Sequence, residues 1–542
     1  MTLDPRIDLE SIDESRGIGR RTFLMGALAA GAAASAPINY AAAARRKAGA
    51  IAKDGAFRLG VASGFPRPRG IVLWTQLDGV KGSPKVRLVV ARDRGFNDVV
   101  DERLVTVSGK RGHTARTMVN GLSPREEYFY RFLTESSKSQ VGRFRTAPPL
   151  KSKEKVRIAF YSCQNYEAGF FNAQRAIARE KDIDLVIGLG DYIYEYSDQG
   201  IRPNDPRRDR TGRNSDGDVQ FLDEYRDKYH LYKRDKNLRA MHAAHPFISV
   251  WDDHEVEDNH ADGKPSSGAE DPTKTNQGMP RRVTFEQRRQ HGYRAFFDFM
   301  PRVRFKGDRN RIYEDYRIGS LVDLMLTDER QYRDQQPCND AILQGCTDAE
   351  TPRTLLGEAQ RNWLLRSLKA SPATWKVWGT QLMLMSLRAP APGIPAQVDA
   401  WDGYAYERKQ ILDYILDNGI QNVVAVTGDI HTFFAGTAYT RGDEGVPGSR
   451  PALPEFVGGS ATSLGIPEAT GLPETTLNAL AAVNPHIDFY DFRTKGYGVV
   501  EATATQLTCE LKGVDALQPN QPPRLLAKFR VAPGERTPQR IA

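Results

Sequence analysis

The sequence predicts a protein of two domains, an all-β sandwich followed by an α/β domain built on layered sheets. Between Phe57 and Thr146, short runs that alternate apolar and polar residues recur every eight to fourteen residues, as in an antiparallel sandwich. From Val156 onward, short apolar runs alternate with helical segments, as in an α/β sheet. A chain of 542 residues is also too long for one ordinary core. We place the two domains at residues 55–147 and 156–515.

The first 44 residues are typical of a twin-arginine export signal. Arg20-Arg21 precedes an alanine-rich apolar stretch from Phe23 to Ile38, and Ala41–Ala43 offers a small-residue cleavage site. The alternative, an amphipathic surface helix, fits poorly because residues 26–37 are only Gly, Ala, Ser, Pro and one Leu. The stretch is too short for a permanent membrane span. We expect segment 1–44 to engage the twin-arginine translocation machinery and the mature protein to be periplasmic or secreted.

The charge of the chain is mildly basic, with 76 Lys and Arg against 68 Asp and Glu and a net charge of +8. The body of the chain has no dense run of Lys and Arg with interleaved aromatic residues, so nucleic-acid-specific binding is not expected. A basic surface instead favours anionic small substrates by electrostatic steering.

The four cysteines form no C-x-x-C pair, which argues against a zinc ribbon or a thioredoxin-type site. Cys338 and Cys346 lie close together in a polar loop, so we expect a disulfide between them in an exported protein. Cys509 lies in a strand-like pattern, where a buried thiol is expected. Cys163 instead follows directly after a predicted buried strand.

Six strands are predicted in the first domain. Leu122-Ser123-Pro124 followed by Tyr128 resembles the tyrosine-corner segment of fibronectin type III-like domains. Pro148-Pro149 and the charged run Lys151–Lys155 predict a linker to the second domain. No cluster of catalytic residue types occurs before this linker, so we interpret the first domain as structural or as a wall of the substrate site. The predicted strands are Ile71–Trp74, Val86–Val90, Leu104–Val107, Thr114–Val119, Tyr128–Leu133 and Val141–Arg145.

The second domain is predicted to contain six buried strands and five helices. Long polar inserts at 201–220, 261–285, 332–353 and 388–404 interrupt them, and such stretches usually cover or line a site. Residues 516–542, rich in Pro, Gln and Arg, are expected to form a loosely packed C-terminal tail, with a cap over the site as the alternative. The predicted strands are Val156–Tyr161, Leu185–Leu189, Phe247–Trp251, Leu321–Leu326, Trp375–Trp378 and Val423–Val426, and the helices are Asn172–Glu180, Leu222–Leu231, Glu286–Phe299, Gly357–Leu368 and Tyr406–Asp417.

Residues that can hold metal or phosphate follow each predicted strand of the second domain. Because ligands of open α/β sheets bind beyond the carboxyl ends of the strands, we expect these residues to meet. One such segment means little, since Asp and Gly end many strands as turn residues, and solvated loop acids are the alternative. Six in succession would crowd carboxylates that only a cation could neutralise. The six segments are Ser162–Asn165, Gly190–Glu195, Asp252–Glu255, Thr327–Arg330, Gly379–Gln381 and Gly428–His431.

Two of these segments, Gly190–Glu195 and Gly428–His431, resemble the metal motifs of calcineurin-like and purple-acid phosphatase metallophosphoesterases. With Ser162–Asn165 and Trp251–Glu255 added, the chain resembles the PhoD-like alkaline phosphatases. The resemblance extends from residue 57 to about residue 500, and that family usually carries a twin-arginine signal. It implies a four-layer α/β sandwich of the calcineurin-like metallophosphoesterase type, preceded by an all-β, fibronectin III-like sandwich.

The resemblance also implies a centre that holds ferric iron (Fe3+) and one or two calcium ions (Ca2+). Asp191 would bridge iron and calcium. Calcium prefers carboxylate and amide oxygens, whereas thiolate and imidazole favour transition metals, so the donor types agree with this division. The implied iron ligands are Cys163, Asp191, Tyr194 and His431, and the implied calcium ligands are Asp253, Gln381 and Asp429. Three residues stay open as outer or further calcium ligands, namely Glu195, Asn259 and Asp328.

Two further residues are predicted to act on the substrate. Arg330 would hold the equatorial phosphate oxygens, since a guanidinium matches phosphate by bidentate donation. His254 would donate a proton to the leaving alkoxide, and fixing a carboxylate is the alternative role. The nucleophile would be a metal-activated hydroxide that attacks phosphorus in line.

We therefore expect an exported alkaline phosphatase that hydrolyses phosphate monoesters and also diesters. One alternative is a phospholipase D-like phosphodiesterase of the same fold. The inserts 201–220 and 261–285 are polar, which favours soluble esters over lipids. A second alternative is a non-catalytic, metal-stabilised binding protein of the envelope, which would need neither a nucleophile-generating site nor a proton donor.

Overall fold

The computed structural model describes residues 51–197, 207–268, 271–343, 345–346, 348, 350–390 and 394–542. The expected export signal at 1–44 lies outside the described residues. The chain divides into two compact units that each use several segments. Unit 1 comprises Met1–Pro148, Lys233–Ile248 and Phe297–Arg311, and unit 2 comprises Pro149–Tyr232, Ser249–Phe296 and Ile312–Ala542. Among the described residues, no helix is both long and apolar enough to cross a membrane.

Unit 1 contains a sandwich of two antiparallel sheets, with strand orders β1-β2-β5 and β4-β3-β6-β7. Alternate residues of β6, namely Tyr128, Tyr130 and Phe132, point into the shared core, because successive side chains of a strand face opposite sides. All six expected strands are confirmed, and β1 is an addition. The strands are β1 (Val61–Arg67), β2 (Gly70–Gln76), β3 (Lys85–Ala91), β4 (Val99–Thr106), β5 (Thr114–Asn120), β6 (Glu127–Leu133) and β7 (Gly142–Arg145).

The backbone N–H of Ser123 donates a hydrogen bond to Tyr128 Oη at 2.9 Å. This is the contact that a tyrosine corner makes, in which the hydroxyl meets backbone a few residues upstream. The wider likeness of the sandwich to fibronectin type III domains stays a prediction.

Unit 2 is built around two seven-stranded mixed sheets, to which the strands after β7 contribute. Their bounds are β8 (Val156–Tyr161), β9 (Leu185–Leu189), β10 (Phe247–Val250), β11 (Glu314–Ile318), β12 (Val322–Leu326), β13 (Trp375–Thr380), β14 (Val423–Thr427), β15 (Phe433–Tyr439), β16 (Pro451–Gly458), β17 (Ile487–Asp491), β18 (Lys495–Ala502), β19 (Leu507–Val514), β20 (Arg524–Val531) and β21 (Gln539–Arg540). One sheet has the order β10-β9-β8-β18-β19-β20-β21, and the other has the order β11-β12-β13-β14-β16-β15-β17.

Eight α-helices accompany the strands in the described part of the chain. Helices α5 and α6 pack against each other, α6 contacts β16, and α1 contacts β18 and β19 of the other sheet. Strands β16 and β18 contact each other, so the two sheets meet between these helices. The helices are α1 (Asn172–Ile177), α2 (Leu222–Lys233), α3 (Lys236–Ala244), α4 (Phe285–Phe299), α5 (Gly357–Ala370), α6 (Ala405–Asp417), α7 (Ile466–Thr470) and α8 (Glu474–Ala482).

Parallel pairing brings the carboxyl ends of several strands of unit 2 to one edge. Strands β8 and β9 are parallel, and β12, β13, β14 and β16 form a parallel series. All five residues of β9 and of β14 are buried, which agrees with the uninterrupted apolar runs that predict them. The six expected strands and five expected helices of this unit are all present, with ends that differ by up to three residues.

The expectation of a loosely packed tail at 516–542 is wrong. Strand β20 pairs antiparallel with β19 from Leu507↔Val531 to Gly513↔Arg524. Its residues Ala527, Phe529 and Val531 are fully buried, and the residues between them are less so. This two-residue alternation is typical of an amphipathic strand. The expectation was based on the composition of the segment, which does not reveal such an alternation. The disulfide expected between Cys338 and Cys346 is present, and Cys509 is a buried free thiol on β19, as expected.

Candidate metal centre

Three groups of potential metal ligands meet at the strand ends of unit 2. Within each group, the possible ligand atoms all lie within 4.8 Å of one another. Asp191 and Asp253 each belong to two groups, so the three groups join into one continuous cluster. The groups are Cys163 with Asp191 and His431, Asp191 with Asp253 and His254, and Asp252 with Asp253 and Asp429.

The backbone at this cluster is unusual, because four of its residues and the neighbouring Asn259 have positive φ angles without being glycine. The angles are 56° at Cys163, 52° at Asp191, 52° at Asn259, 61° at Asp429 and 55° at His431. A non-glycine residue in the left-handed region costs free energy, and such residues gather at functional sites where the surrounding structure holds them. The backbone conformation and the ligand side chains thus both indicate a functional site at these strand ends.

The glycines before Asp191 and Asp429 allow this crowding. Gly190 has a φ of 99°, and a Cβ added there would lie 2.4 Å from the Cβ of Asp252. A Cβ on Gly428 would lie 2.6 Å from the Cβ of Ser162. In both Gly-Asp pairs the glycine therefore lets two strand ends approach closely enough for the residues that follow them to share a site.

Tyr194 lies beside the first ligand group and contacts two of its members, Asp191 and His431. Its hydroxyl donates to Asp191 Oδ2 at 2.9 Å, and its oxygen lies 3.3 Å from His431 Nε2. His431 Nδ1 donates to the carbonyl of Leu464 at 2.6 Å, which leaves Nε2 to face the cluster. Burial lowers the pKa of His431 to about 4, so the imidazole is neutral and can act as a ligand.

Ser463 and Leu464, which follow β16, hold this group in place by hydrogen bonds. Their role was not predicted from the sequence. Ser463 Oγ lies 2.7 Å from Tyr194 Oη and 2.9 Å from the carbonyl oxygen of Cys163. Together with the Leu464 carbonyl, it holds three of the expected ligands in place. The available signal was the position of the segment directly after an apolar strand, but β16 itself was not predicted.

His254 lies between the cluster and two further carboxylates. Its ring stacks on Tyr194 with centroids 4.1 Å apart, and its Nδ1 is 2.8 Å from Glu195 Oε2. Its Nε2 is 3.9 Å from Asp258 Oδ1. Burial opposes protonation, but the charges of Asp253, Glu195 and other nearby carboxylates outweigh it and raise the pKa of His254 well above its usual value.

Arg330 is fully buried and surrounded by carboxylates. Its Nε contacts Asp252, Nη1 is 2.6 Å from Asp399 Oδ2, and Nη2 is 3.1 Å from Asp429 Oδ1. Every guanidinium nitrogen is therefore engaged by an acid. The expected contact of Arg330 with phosphate stays a prediction, and this geometry favours a different role, which is to hold the carboxylates of the centre together.

Two more expected residues occupy the surroundings of the cluster. The side-chain Nε2 of Gln381 donates to the carbonyl of Thr327 at 2.8 Å, and its backbone carbonyl accepts from Gly428, next to Asp429. The N–H of Asn259 donates to Asp253 Oδ2 at 2.7 Å. Asn259 thus holds a member of the cluster in place.

Glu195, Asp328 and Glu255 act in the structure as hydrogen-bond acceptors. Glu195 accepts from the backbone N–H of Asp258 in addition to its contact with His254. Asp328 Oδ1 accepts from the Trp251 indole and from backbone N–H groups that follow it. Glu255 has no role predicted from the sequence, but its carboxylate accepts from the N–H groups of Asp191, Tyr192 and Asp252. These bonds fix the loops that carry the cluster.

The donor set of the cluster fits a metal centre. Asp191 Oδ1, Asp252 Oδ2 and Gln381 Oε1 are buried, and none has a hydrogen-bond partner among the described residues. Burial together with neighbouring charges raises the pKa of Asp191 well above its usual value, and raises the pKa of Asp429 to about 7. Buried carboxylates in this state need a cation to remain ionised. Thiol, phenol and imidazole donors lie at one end of the cluster and oxygen donors at the other.

The match to known proteins agrees with this description. Residues 158–511 match the family model described as PhoD-like phosphatase, and residues 41–148 match PhoD-like phosphatase, N-terminal domain. The chain is 34% identical over 468 residues to alkaline phosphatase D of Bacillus subtilis (strain 168), covering 83% of this chain and 76% of that protein.

Two solved structures are similar to the chain. A structure of PhoD superposes with a TM-score of 0.77 and 30% identity, covering 90% of this chain and 92% of that one. A purple acid phosphatase from yellow lupin (Lupinus luteus) seeds has a TM-score of 0.53 at 12% identity, covering 87% of this chain and 73% of that one, which indicates a shared fold.

The fold of unit 2 and its cluster of ligands define a protein of the metallophosphoesterase-like class, in which metal cofactors are implied. Within that class, the chain belongs to the PhoD-like phosphatase family and is a phosphoric ester hydrolase.

Proposed function

We propose that the chain is an alkaline phosphatase that hydrolyses phosphate monoesters, and also diesters, at the cluster formed by the strand ends of unit 2. The observation that carries this proposal is the sharing of Asp191 and Asp253 between neighbouring ligand groups. A shared carboxylate can bridge two cations, and paired cations suit the displacement of an ester at phosphorus.

The proposed metals are one ferric ion and one or two calcium ions, divided by donor type. Cys163, Tyr194 and His431 would hold iron together with Asp191, because thiolate, phenolate and imidazole donors suit a transition metal. Calcium would take oxygen donors only. The proposed calcium ligands are Asp253, Gln381 and Asp429, with Asp191 shared. When bound, these cations would supply positive charge for the phosphoryl oxygens and the Lewis acidity that activates a water nucleophile.

His254 is proposed to donate the proton that the leaving alkoxide needs. Glu195 engages Nδ1 of the ring, so the proton would come from Nε2. Stacking on Tyr194 fixes the plane of the ring, and this limits the directions in which Nε2–H can point. Arg330 is proposed to act through Asp252, Asp399 and Asp429, whose mutual repulsion its charge reduces. It is then a positioning residue, and direct phosphate binding is the alternative.

Export is also part of the proposal, with the twin-arginine segment at 1–44 directing the chain to the periplasm or the medium. The disulfide between Cys338 and Cys346 supports an oxidising compartment. The sandwich of unit 1 is proposed to be a fibronectin III-like structural domain. Replacing Arg20 and Arg21 by lysine should retain the chain in the cytoplasm, and cell fractionation would measure this. Unchanged export of that variant would contradict the twin-arginine route.

The catalytic proposal is tested by the rate of phosphate release from a monoester. Asp191→Asn keeps the side-chain volume but removes the shared charge, and we expect the rate to fall by about three orders of magnitude or more. Asp262→Asn is the matched control, because Asp262 is exposed and pairs with Lys264 at the surface. The control should retain the parent rate. A parent-like rate for Asp191→Asn would mean that the catalytic centre lies elsewhere.

A further inference from the structure

A cavity of about 230 Å³ in unit 2 opens beside the ligand cluster. One end is polar and is lined by members of the cluster, including Asp191, His254 and Asp429. The rest of the lining, called the apolar end below, is mainly aliphatic and consists chiefly of Ile342, Leu343, Ile466, Leu472, Leu477 and Leu480. The cavity therefore joins a site for phosphoryl chemistry to an apolar space.

The apolar end is built from segments far apart in the chain. Ile342 and Leu343 lie inside the loop that the Cys338–Cys346 disulfide closes. The remaining aliphatic residues come mainly from α7, α8 and their connection, directly after the segment that supports Tyr194 and His431. The described residues of the polar inserts at 201–220 and 261–285 contribute none of its lining residues. Their composition therefore gives no information about the apolar space.

Ile342 is the clearest sign that this end receives a ligand. Ile342 is 57% exposed although it is a large aliphatic residue, and it lines the cavity. Leu343, Ile466 and Leu472 around it are only partly buried. Exposed aliphatic surface that is concentrated beside a catalytic cluster indicates a binding site for an apolar group.

We propose that this apolar end holds an alkyl or aryl group of the phosphate ester, so that the chain selects esters of apolar alcohols. The inference rests on the proposed function, because the cluster must bind the phosphoryl group for its substituent to reach the cavity. A cavity of about 150 Å³ lined by aliphatic residues is large enough for benzene, and the whole cavity here, with its polar part included, is about 230 Å³. The apolar group is either the leaving alcohol of a monoester or the second substituent of a diester.

The test is a series of n-alkyl phosphates from methyl to hexyl, with kcat/KM measured for each. Burial of one methylene favours binding by up to about fourfold, so we expect kcat/KM to rise about two- to fourfold per methylene. A parallel series of methyl alkyl diesters distinguishes the two sources of the apolar group. A rise in the monoester series places the leaving alcohol in the cavity, and a rise confined to the diesters places the second substituent there.

Ile342→Asn and Leu472→Asn make the apolar end polar at positions that are not fully buried. Each should lower kcat/KM for hexyl phosphate by about threefold or more and leave methyl phosphate within about twofold of the parent. Leu517→Asn is the matched control, because Leu517 is 60% exposed and lies outside the cavity. Isothermal titration with hexylphosphonate, which is not hydrolysed, should show the same loss of affinity in the two cavity variants and none in the control.

Two outcomes would overturn the inference while leaving the proposed function intact. One is a kcat/KM that does not change along either series. The other is a pair of cavity variants that lower methyl and hexyl phosphate turnover equally. Hydrolysis of none of these esters by the parent would instead contradict the proposed function itself. The two failures are therefore distinguishable.

Discussion

Replacing Arg330 by methionine is expected to destabilise unit 2, and the size of the effect follows from its ion pairs. The guanidinium is fully buried and engages Asp252, Asp399 and Asp429. Asp399 would keep a second cation, because Arg333 Nη2 lies 2.6 Å from its Oδ1. Asp252 and Asp429 have no other Lys or Arg partner within ion-pair distance among the described residues. In the metal-free chain the substitution would therefore leave these two buried carboxylates uncompensated, and Asp253 would lose its 3.7 Å contact with Nη2.

Removing one partner of a buried ion pair costs about 3–5 kcal/mol. The substitution breaks two such pairs, but Asp252 and Asp429 can each take up a proton. We therefore expect a total loss of unfolding free energy in the range for one pair, and not twice that range. For a unit of about 360 residues, an unfolding entropy of about 2.1 cal/mol/K per residue converts this cost to a fall in Tm of about 4–7 °C.

The assay is thermal unfolding of the whole chain after metal removal with a chelator, followed by far-ultraviolet circular dichroism. Arg493→Met is the matched control, because its ion pair with Glu474 is 2.9 Å long but more than half exposed on both sides. An exposed pair contributes about 0–1 kcal/mol, so the control should shift Tm by less than about 1.5 °C. A Tm for Arg330→Met within the range of the control would refute the role of Arg330 in holding the carboxylates.

Three further perturbations have definite expected results. Burial lowers the pKa of Lys233 to about 7, so between pH 7 and about 10 the unfolded chain holds a proton that the folded chain does not. The free energy of unfolding should therefore rise with pH across this window, and Lys233→Met should flatten the rise in denaturant titrations at several pH values; an unchanged slope would contradict it. Replacing Cys338 and Cys346 by serine removes a disulfide that closes a loop across a sequence separation of eight, which should lower the free energy of unfolding by up to about 2.5 kcal/mol. A variant more stable than the parent would contradict this expectation. His254→Asn should lower kcat by about 10²–10⁴ for alkyl esters and far less for p-nitrophenyl phosphate, whose leaving group needs no proton; equal losses would exclude a proton donor.

The strands that lead to the site could be predicted because their sequences are continuous apolar runs. Strands β8 and β9 match their expected bounds, and their last residues lead directly to Cys163 and to Gly190-Asp191. The same reasoning missed β16 and β20. In β16 a proline and a glutamate interrupt the run, and in β20 Lys and Arg alternate with the buried residues. Strand β20 has one polar face, which gives a weaker signal than a buried central strand, whereas β16 is buried and is concealed by its proline and glutamate.

The site was predictable as a set of ligand types, but its supports and its apolar wall were not. The Gly-Asp pairs predict a crowded strand end. The structure explains the glycines, because a side chain at position 190 or 428 would collide with a neighbouring strand end. Ser463 has no such pattern, because its role depends on a contact with Tyr194 across 269 residues. The engagement of Arg330 by carboxylates likewise depends on three loops that meet only in the folded chain.

The most direct test of the shared metal centre is the metal content of the purified mature chain, measured by inductively coupled plasma mass spectrometry. We expect one iron per chain together with calcium, and a visible absorption band from thiolate and phenolate donors that Tyr194→Phe weakens or shifts and Cys163→Ser changes further. Asp191→Asn should lose at least one of the metals, because the shared carboxylate serves both. A colourless and fully active chain that contains stoichiometric zinc or nickel without iron would contradict the ligand assignment.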